Sequence, residues 1–259
     1  MLRHRLNDSD WNKLYAILQL TPGIYTGNEA KCRTFVNAVH WIMRTGAPWR
    51  DLPSEGGNWN AVFKRFSRWT DKGVWDNLHQ QLIEEPDMEW LLLDSTIVRA
   101  HPCAAGAPQE KGGQAEQALG QSVGGFSTKI HAIVDALGNP LRLLLTGGQA
   151  GDAPQAIPLL AGFDFKAVLA DRGYDSDEIL DFIAQREAEA VIPPKKNRVV
   201  QRETNWHLYK SRHLVECFMN KIKQYRRIFS RFEKYASRYK SFPVSYTHLT
   251  LPTSRCVGG

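Results

Sequence analysis

The chain has few cysteines: Cys32, Cys103, Cys217 and Cys256 in 259 residues, with no CxxC pair among them. That spacing argues against a disulfide framework or a thiolate zinc site and leaves reduced bystander thiols. His101, His131 and His213 are scattered, which argues equally against a histidine-bound zinc. No run of eighteen apolar residues occurs, so no membrane-spanning helix is expected. The N-terminal stretch MLRHRLNDSDWNKLY lacks the apolar core of a secretory signal, and the expected compartment is the cytoplasm. A GxxxxGK[ST] loop is missing too, which removes P-loop ATP hydrolysis.

What is present points to a globular protein: 42% of residues are apolar, and eight are tryptophan. The net charge of +6 is unevenly spread. Residues 87–194 carry 15 acids against 7 bases, whereas residues 195–240 carry 14 bases against 3 acids. So dense a basic block suits a polyanion such as nucleic acid, or else a solubilising face.

Residues 8–85 read as helices separated by tight turns. Ser9 is a candidate N-cap ahead of Trp11, Leu14, Tyr15 and Leu18 at helical spacing. TGAPWRDLP breaks the pattern, and Gly73 hinges two later helices. Such a run suits a helix-turn-helix DNA reader or a small structural bundle equally well. From EWLLLDSTIVRAH onward the period changes to strands. GGQAEQALGQSVGG reads as a loop, FSTKIHAIVDALGNPLRLLLTGG as two strands joined at residues 137–140, and KAVLADRGYDS as a strand ending at Asp171. The order β-β-β-α-β-α-β-α predicts an α/β fold with one mixed sheet flanked by helices.

Asp94 and Asp171 each follow an apolar run, and strand ends are where open α/β sheets gather ligands. Asp152 reads as an N-cap or turn acid, and Asp135 as a turn stabiliser. Glu216 is the only acid within HLYKSRHLVECFMNKIKQYRRIF, residues 207–229. Three carboxylates converging on one point repel each other unless a cation lies among them. Oxygen ligands alone suit Mg²⁺ or Mn²⁺, and a pair of ions beside a polyanion surface suits phosphodiester chemistry. Tyr209, Arg212, Glu216 and Lys223, at i, i+3, i+7 and i+14, share one face of a regular helix. Arg226 and Arg227, further along the stretch, and Lys129 on its strand are additional DNA-binding candidates.

The Tyr209-x₂-Arg212-x₃-Glu216-x₆-Lys223 spacing resembles the signature of DDE transposases of bacterial insertion sequences. LLLDSTIVRAH and LADRGYDSD resemble the blocks around that family's two catalytic aspartates, and RTGAPWRDLP resembles the leader of its insertion-sequence-five group. The four blocks stand in the family's order across residues 5–242. The resemblance implies an RNase H-like domain over residues 87–242 and a metal triad of Asp94, Asp171 and Glu216. It also implies DNA contacts from Tyr209, Arg212 and Lys223, and a homo-oligomer that synapses two transposon ends. Residues 1–86 would then bind DNA ends.

The tail PVSYTHLTLPTSRCVGG, residues 243–259, departs from the pattern, with no helical period and no basic face. VSYTHLTLPTS resembles a translated sequencing adapter, so a foreign tail and a missing core helix are expected. The alternative functions are an inactive DNA-binding remnant, which such a tail would leave, or a structure-selective nuclease on the same scaffold.

Overall fold

The computed structural model describes residues 6–83, 85–108, 110 and 113–249. Two compact units emerge, one helical and one built on a sheet.

Among the described residues the helical unit comprises Leu6–Leu82, Gln224–Ser230 and residues 237–249. Its helices are α1 (Asp8–Leu20), α2 (Glu29–Thr45), α3 (Trp59–Asp71) and α4 (Val74–Leu82). Asn7, not Ser9, caps α1: its side chain accepts from Asp10 N, two residues earlier than expected. Asn28 and Asn58 cap α2 and α3 in the same way. Helix α2 stops at Gly46, whose φ of +70° favours glycine, and a Cβ there would stand 2.8 Å from Arg226 Cβ. Gly73, at φ +66°, forms the expected hinge between α3 and α4. The core is aromatic: Phe66 stacks on Phe242 at 5.0 Å, and Trp69 meets Trp75 at 5.2 Å. The 3₁₀ turn Trp49–Asp51, within the proline-broken leader, sets Trp49 against Phe63 and Phe66.

The sheet unit spans Ile83–Lys223 and Arg231–Ala236. Its strands are β1 (Trp90–Ala100), β2 (Gly120–Ser122), β3 (Gly125–Val134), β4 (Pro140–Gly147), β5 (Ala167–Leu169) and β6 (Glu189–Val191). Strands β4, β3 and β1 are antiparallel neighbours, and β1, β5 and β6 run parallel. That order and polarity make an RNase H-like mixed sheet, as the sequence led us to expect. Short helices α5 (Gly113–Glu116), α6 (Ala156–Leu160), α7 (Asp177–Ala184) and α8 (Trp206–Tyr209) lead to α9 (His213–Lys223). Leu91, Leu93 and Ile133 pack with Leu159, Leu160, Ile179 and Ile183 to form the core. The stretch read as a loop instead contains α5 and β2, because β3 runs on past the end of β4 and pairs there with β2.

Two boundaries differ from the sequence reading. The segment 224–230, with α10 (Arg226–Phe229), belongs to the helical unit, as do residues 237–249. Within that unit Tyr239 OH donates to Ile228 O, and Phe242 joins the aromatic core. The expected loss of helix at residue 243 does not occur, since α11 runs Ala236–Leu249. Pro243 forgoes one backbone hydrogen bond, but Tyr239, Phe242 and Val244 are buried around it, and that burial outweighs the loss. Residues 250–259, the rest of the tail, lie outside the described residues.

Candidate active site

Register sets the two aspartates side by side. The parallel pairing of β1 with β5 ends at Leu92 opposite Leu169, so Asp94 and Asp171 come abreast two residues later. Asp94 is not at a strand end, as expected, because β3 continues to pair β1 through Arg99. It stands instead where β5 ends and the sheet opens. Asp171 Oδ1 accepts from Gly173 N at 2.7 Å and caps the 3₁₀ turn Arg172–Tyr174.

Arg212 and Glu216 complete the group. Arg212 Nη2 donates to Asp94 Oδ2 at 3.1 Å, and Arg212 Nη1 to Glu216 Oε1 at 2.5 Å. One guanidinium thus joins the first acid to the third. Burial raises the Asp94 carboxyl above the usual carboxylate range. Asp171 and Glu216 push it the same way, while Arg212 and the Ser95 N–H oppose them. Arg212 Nε is buried without a hydrogen-bond partner among the described residues.

The stretch 206–223 is not one regular helix. A tightened turn at Lys210–Arg212 separates α8 from α9. Each 3₁₀ residue advances about 20° further than an α-helical one, so Tyr209 drifts from the stripe predicted for it. Tyr209 packs edge-on against the exposed Trp206, with ring centroids 5.4 Å apart, and Lys223 closes α9 half-buried.

Two DNA-binding expectations are corrected by placement. Lys129 is only 8% exposed, and its Nζ is held by Ala150 O at 2.6 Å and Asp152 Oδ1 at 3.0 Å. A lysine engaged by two protein oxygens is not presented to a phosphate. Arg227 is also buried, and it donates to the Gly46 and Ala47 carbonyls within the helical unit. The i,i+1 neighbour Arg226 is exposed on α10 of that unit. Cys32, Cys103 and Cys217 carry free thiols.

The role of Asp152 differs from the N-cap or turn acid read from the sequence. Asp152 stands at the start of a 3₁₀ turn but makes no side-chain cap, and accepts instead from Ser95 Oγ at 2.7 Å and Lys129 Nζ. The signal was available: Lys129 and His131, two apart on β3, share a face and interrupt its apolar alternation. Sequence reasoning missed Asp175, whose buried carboxylate takes Lys195 N, Arg198 and Arg202 and ties down the chain after β6.

The donor chemistry suits a hard divalent cation. The candidate ligands are all oxygens, and Asp94 and Glu216 are drawn around one positive group. Among the described residues no three His, Cys, Asp or Glu side chains close to ligand spacing. The guanidinium of Arg212 lies between Asp94 and Glu216 instead.

An RNase H-like sheet with acids where its parallel strands open, and a helix bearing Arg212 and Glu216, defines the DDE class of nucleic-acid-processing domains. Residues 85–240 match the family described as "Transposase DDE domain", and residues 6–79 the one described as "Putative transposase of IS4/5 family". The chain therefore belongs to the DDE transposases of insertion sequences, enzymes of the nuclease and strand-transferase type that act in DNA transposition. It is 46% identical over 119 residues to a "Putative transposase for insertion sequence element IS6501" of Brucella ovis, covering 45% of this chain and 92% of that protein. A "Putative transposase for insertion sequence element IS402" of Burkholderia cepacia is 32% identical over 127 residues, 44% of this chain and 58% of that one. A solved piggyBac transposase synaptic complex with hairpin DNA is 13% identical, with a TM-score of 0.40, over 76% of this chain and 51% of that one. No helix among the described residues is long and apolar enough to cross a membrane.

Proposed function

We propose that this protein cleaves double-stranded DNA at the ends of its insertion sequence and joins them to target DNA. The observation that carries this reading is the arrangement of acids: Asp94 abreast of Asp171, with Glu216 linked to Asp94 through Arg212. Asp94, Asp171 and Glu216 would hold Mg²⁺ or Mn²⁺, two ions in all. When bound, such ions lower the pKa of an attacking water or 3′-hydroxyl and stabilise the leaving oxygen.

The rest falls to the chain's own groups. Arg212, with its unpaired Nε, is suited to receive a phosphate oxygen beside Asp94. Tyr209, on α8 before the tightened turn, and Lys223, at the end of α9, would be further contacts to DNA or phosphate. Arg226 and the other exposed bases of the helical unit, residues 1–82 with the C-terminal helices, would hold the transposon end. A homo-oligomer would bring two such ends together.

The test is metal-dependent cleavage of a labelled terminal-repeat duplex by the full chain and by Glu216→Gln. Cleavage by the native chain that is lost in the variant, with DNA binding kept, supports the triad. Equal cleavage by both would refute it.

A further inference from the structure

The face of the sheet that carries the core changes character at one row. Along β1 the residues on that face are Leu91, Leu93, Ser95 and Ile97, and along β3 the partners are Ile133, His131 and Lys129. The inner end is apolar and closed by α6 and α7. The outer end is polar: Ser95, His131 and Lys129 gather under Asp152. Lys129 Nζ and Ser95 Oγ both donate to Asp152 Oδ1, and His131 Nδ1 lies 3.6 Å from the same oxygen. His131 is fully buried, and its Nε2 is paired with Thr146 Oγ1 at 2.8 Å. Burial lowers its pKa to about 4, so the ring is neutral near pH 7.

Such a cluster is costly, since buried ion pairs rarely outperform an apolar replacement of equal volume. The chain also shapes its backbone to make it. Gly148 passes so close to β3 that a Cβ would collide with Ser127 Oγ, and this turn returns Ala150 O to Lys129. The row where the face turns polar is the row of the site. Ser95 follows Asp94 directly, and its N–H donates to Asp94 Oδ1 at 2.8 Å. Tyr174 lies in the field of Asp152, Asp94 and Asp171 together, and its buried hydroxyl has no hydrogen-bond partner among the described residues.

We infer that Asp152 is a positioning residue for the catalytic acids: by holding Ser95 and Lys129 from the opposite face, it fixes the Asp94–Ser95 peptide and so the direction of the Asp94 carboxylate. Asp152 touches no reacting group in this role. It acts through Ser95, as outer hydrogen-bond partners orient the ligands of metal sites elsewhere. The inference rests on the metal-binding role proposed for Asp94.

The experiment is Mn²⁺ binding to the full chain, followed by calorimetry, with DNA affinity and thermal midpoint measured alongside. The variants are Ser95→Ala, Ser95→Thr, Asp152→Ala and Ser95→Ala/Asp152→Ala, with Asp94→Asn as the reference. Ser95→Ala and Asp152→Ala are each expected to weaken Mn²⁺ binding by roughly ten- to a hundredfold. The double variant should be no weaker than the worse single one, because both act along one path. Ser95→Thr keeps the hydroxyl and should restore most of the affinity. DNA affinity should stay level throughout. Additive losses, or native Mn²⁺ affinity in Ser95→Ala, overturn the inference while leaving Asp94 as a ligand. So does a lower thermal midpoint for Asp152→Ala with native affinity. Mn²⁺ binding that is the same in Asp94→Asn as in the native chain overturns the metal reading, and the inference with it.

Discussion

The two units hide different things from water. The helical unit buries rings: Trp11, Trp75, Phe66 and Phe242 are almost wholly enclosed. The sheet unit buries mainly aliphatic side chains and, among them, more charge, namely Lys129, Asp135, Asp175, Arg231 and Glu233, where the helical unit buries Arg227. Rings packed at 5–6 Å stabilise through area and contact, without demanding a particular partner atom. Buried charges stabilise little in net terms, but each requires a defined set of partners. Asp135 gathers Leu137 N and Asn139 N around the β3–β4 turn, and Arg231 holds Ala118 O and Thr128 Oγ1. The sheet unit thus uses its buried charge to fix turns and chain crossings around the strands.

Four substitutions sharpen that contrast. The largest effect should come from Glu216→Gln, which removes charge from the site and leaves the fold alone. Cleavage of terminal-repeat DNA should fall by roughly a thousandfold, worth about 4 kcal/mol, with an unchanged urea midpoint. Next, Phe66→Ala opens the aromatic core at its centre. It should cost the helical unit about 3–5 kcal/mol, read from tryptophan fluorescence during denaturation.

Asp175→Asn tests the buried-charge side and should cost about 3 kcal/mol in chemical denaturation. Its pH signature is specific. Burial alone would raise this carboxyl, yet the Lys195 N–H and the guanidiniums of Arg198 and Arg202 prevail and hold it at about 2. Its folded pKa lies below the unfolded value, so its contribution is present above roughly pH 4. That contribution is lost as the pH falls towards 2, and the variant should lack this segment of the stability curve. The smallest effect belongs to Asn58→Ala. It strips Asn60 N and Ala61 N of their cap and should lower the helical unit's stability by about 1 kcal/mol, followed by circular dichroism.

Much was legible along the chain because the signals are local. Apolar runs marked β1 and β5 and the acids that follow them, Asp94 and Asp171; isolation in a basic stretch marked Glu216, and Gly73 marked a hinge. Local signals failed where a distant partner decided the outcome. Lys129 reads as a free cation until the turn at Gly148 brings Ala150 O and Asp152 over it. Arg227 reads as part of a basic stripe until α10 lays it against the end of α2. Pro243 reads as a helix breaker until Phe242 and Val244 find an apolar interior.

The amino-acid order by itself determined which segments become helix or strand and which acids stand in apolar surroundings, since periodicity and flanking residues act over a few positions. It also determined the family, through four motif blocks in sequence. Tertiary structure alone decided that Asp94 stands abreast of Asp171, because strand register is set by pairing between segments 77 residues apart, Leu92 with Leu169. Tertiary structure likewise brought Arg212 to Asp94 and Asp152 to Ser95. Such electrostatic relations depend on distances that no spacing along the chain encodes.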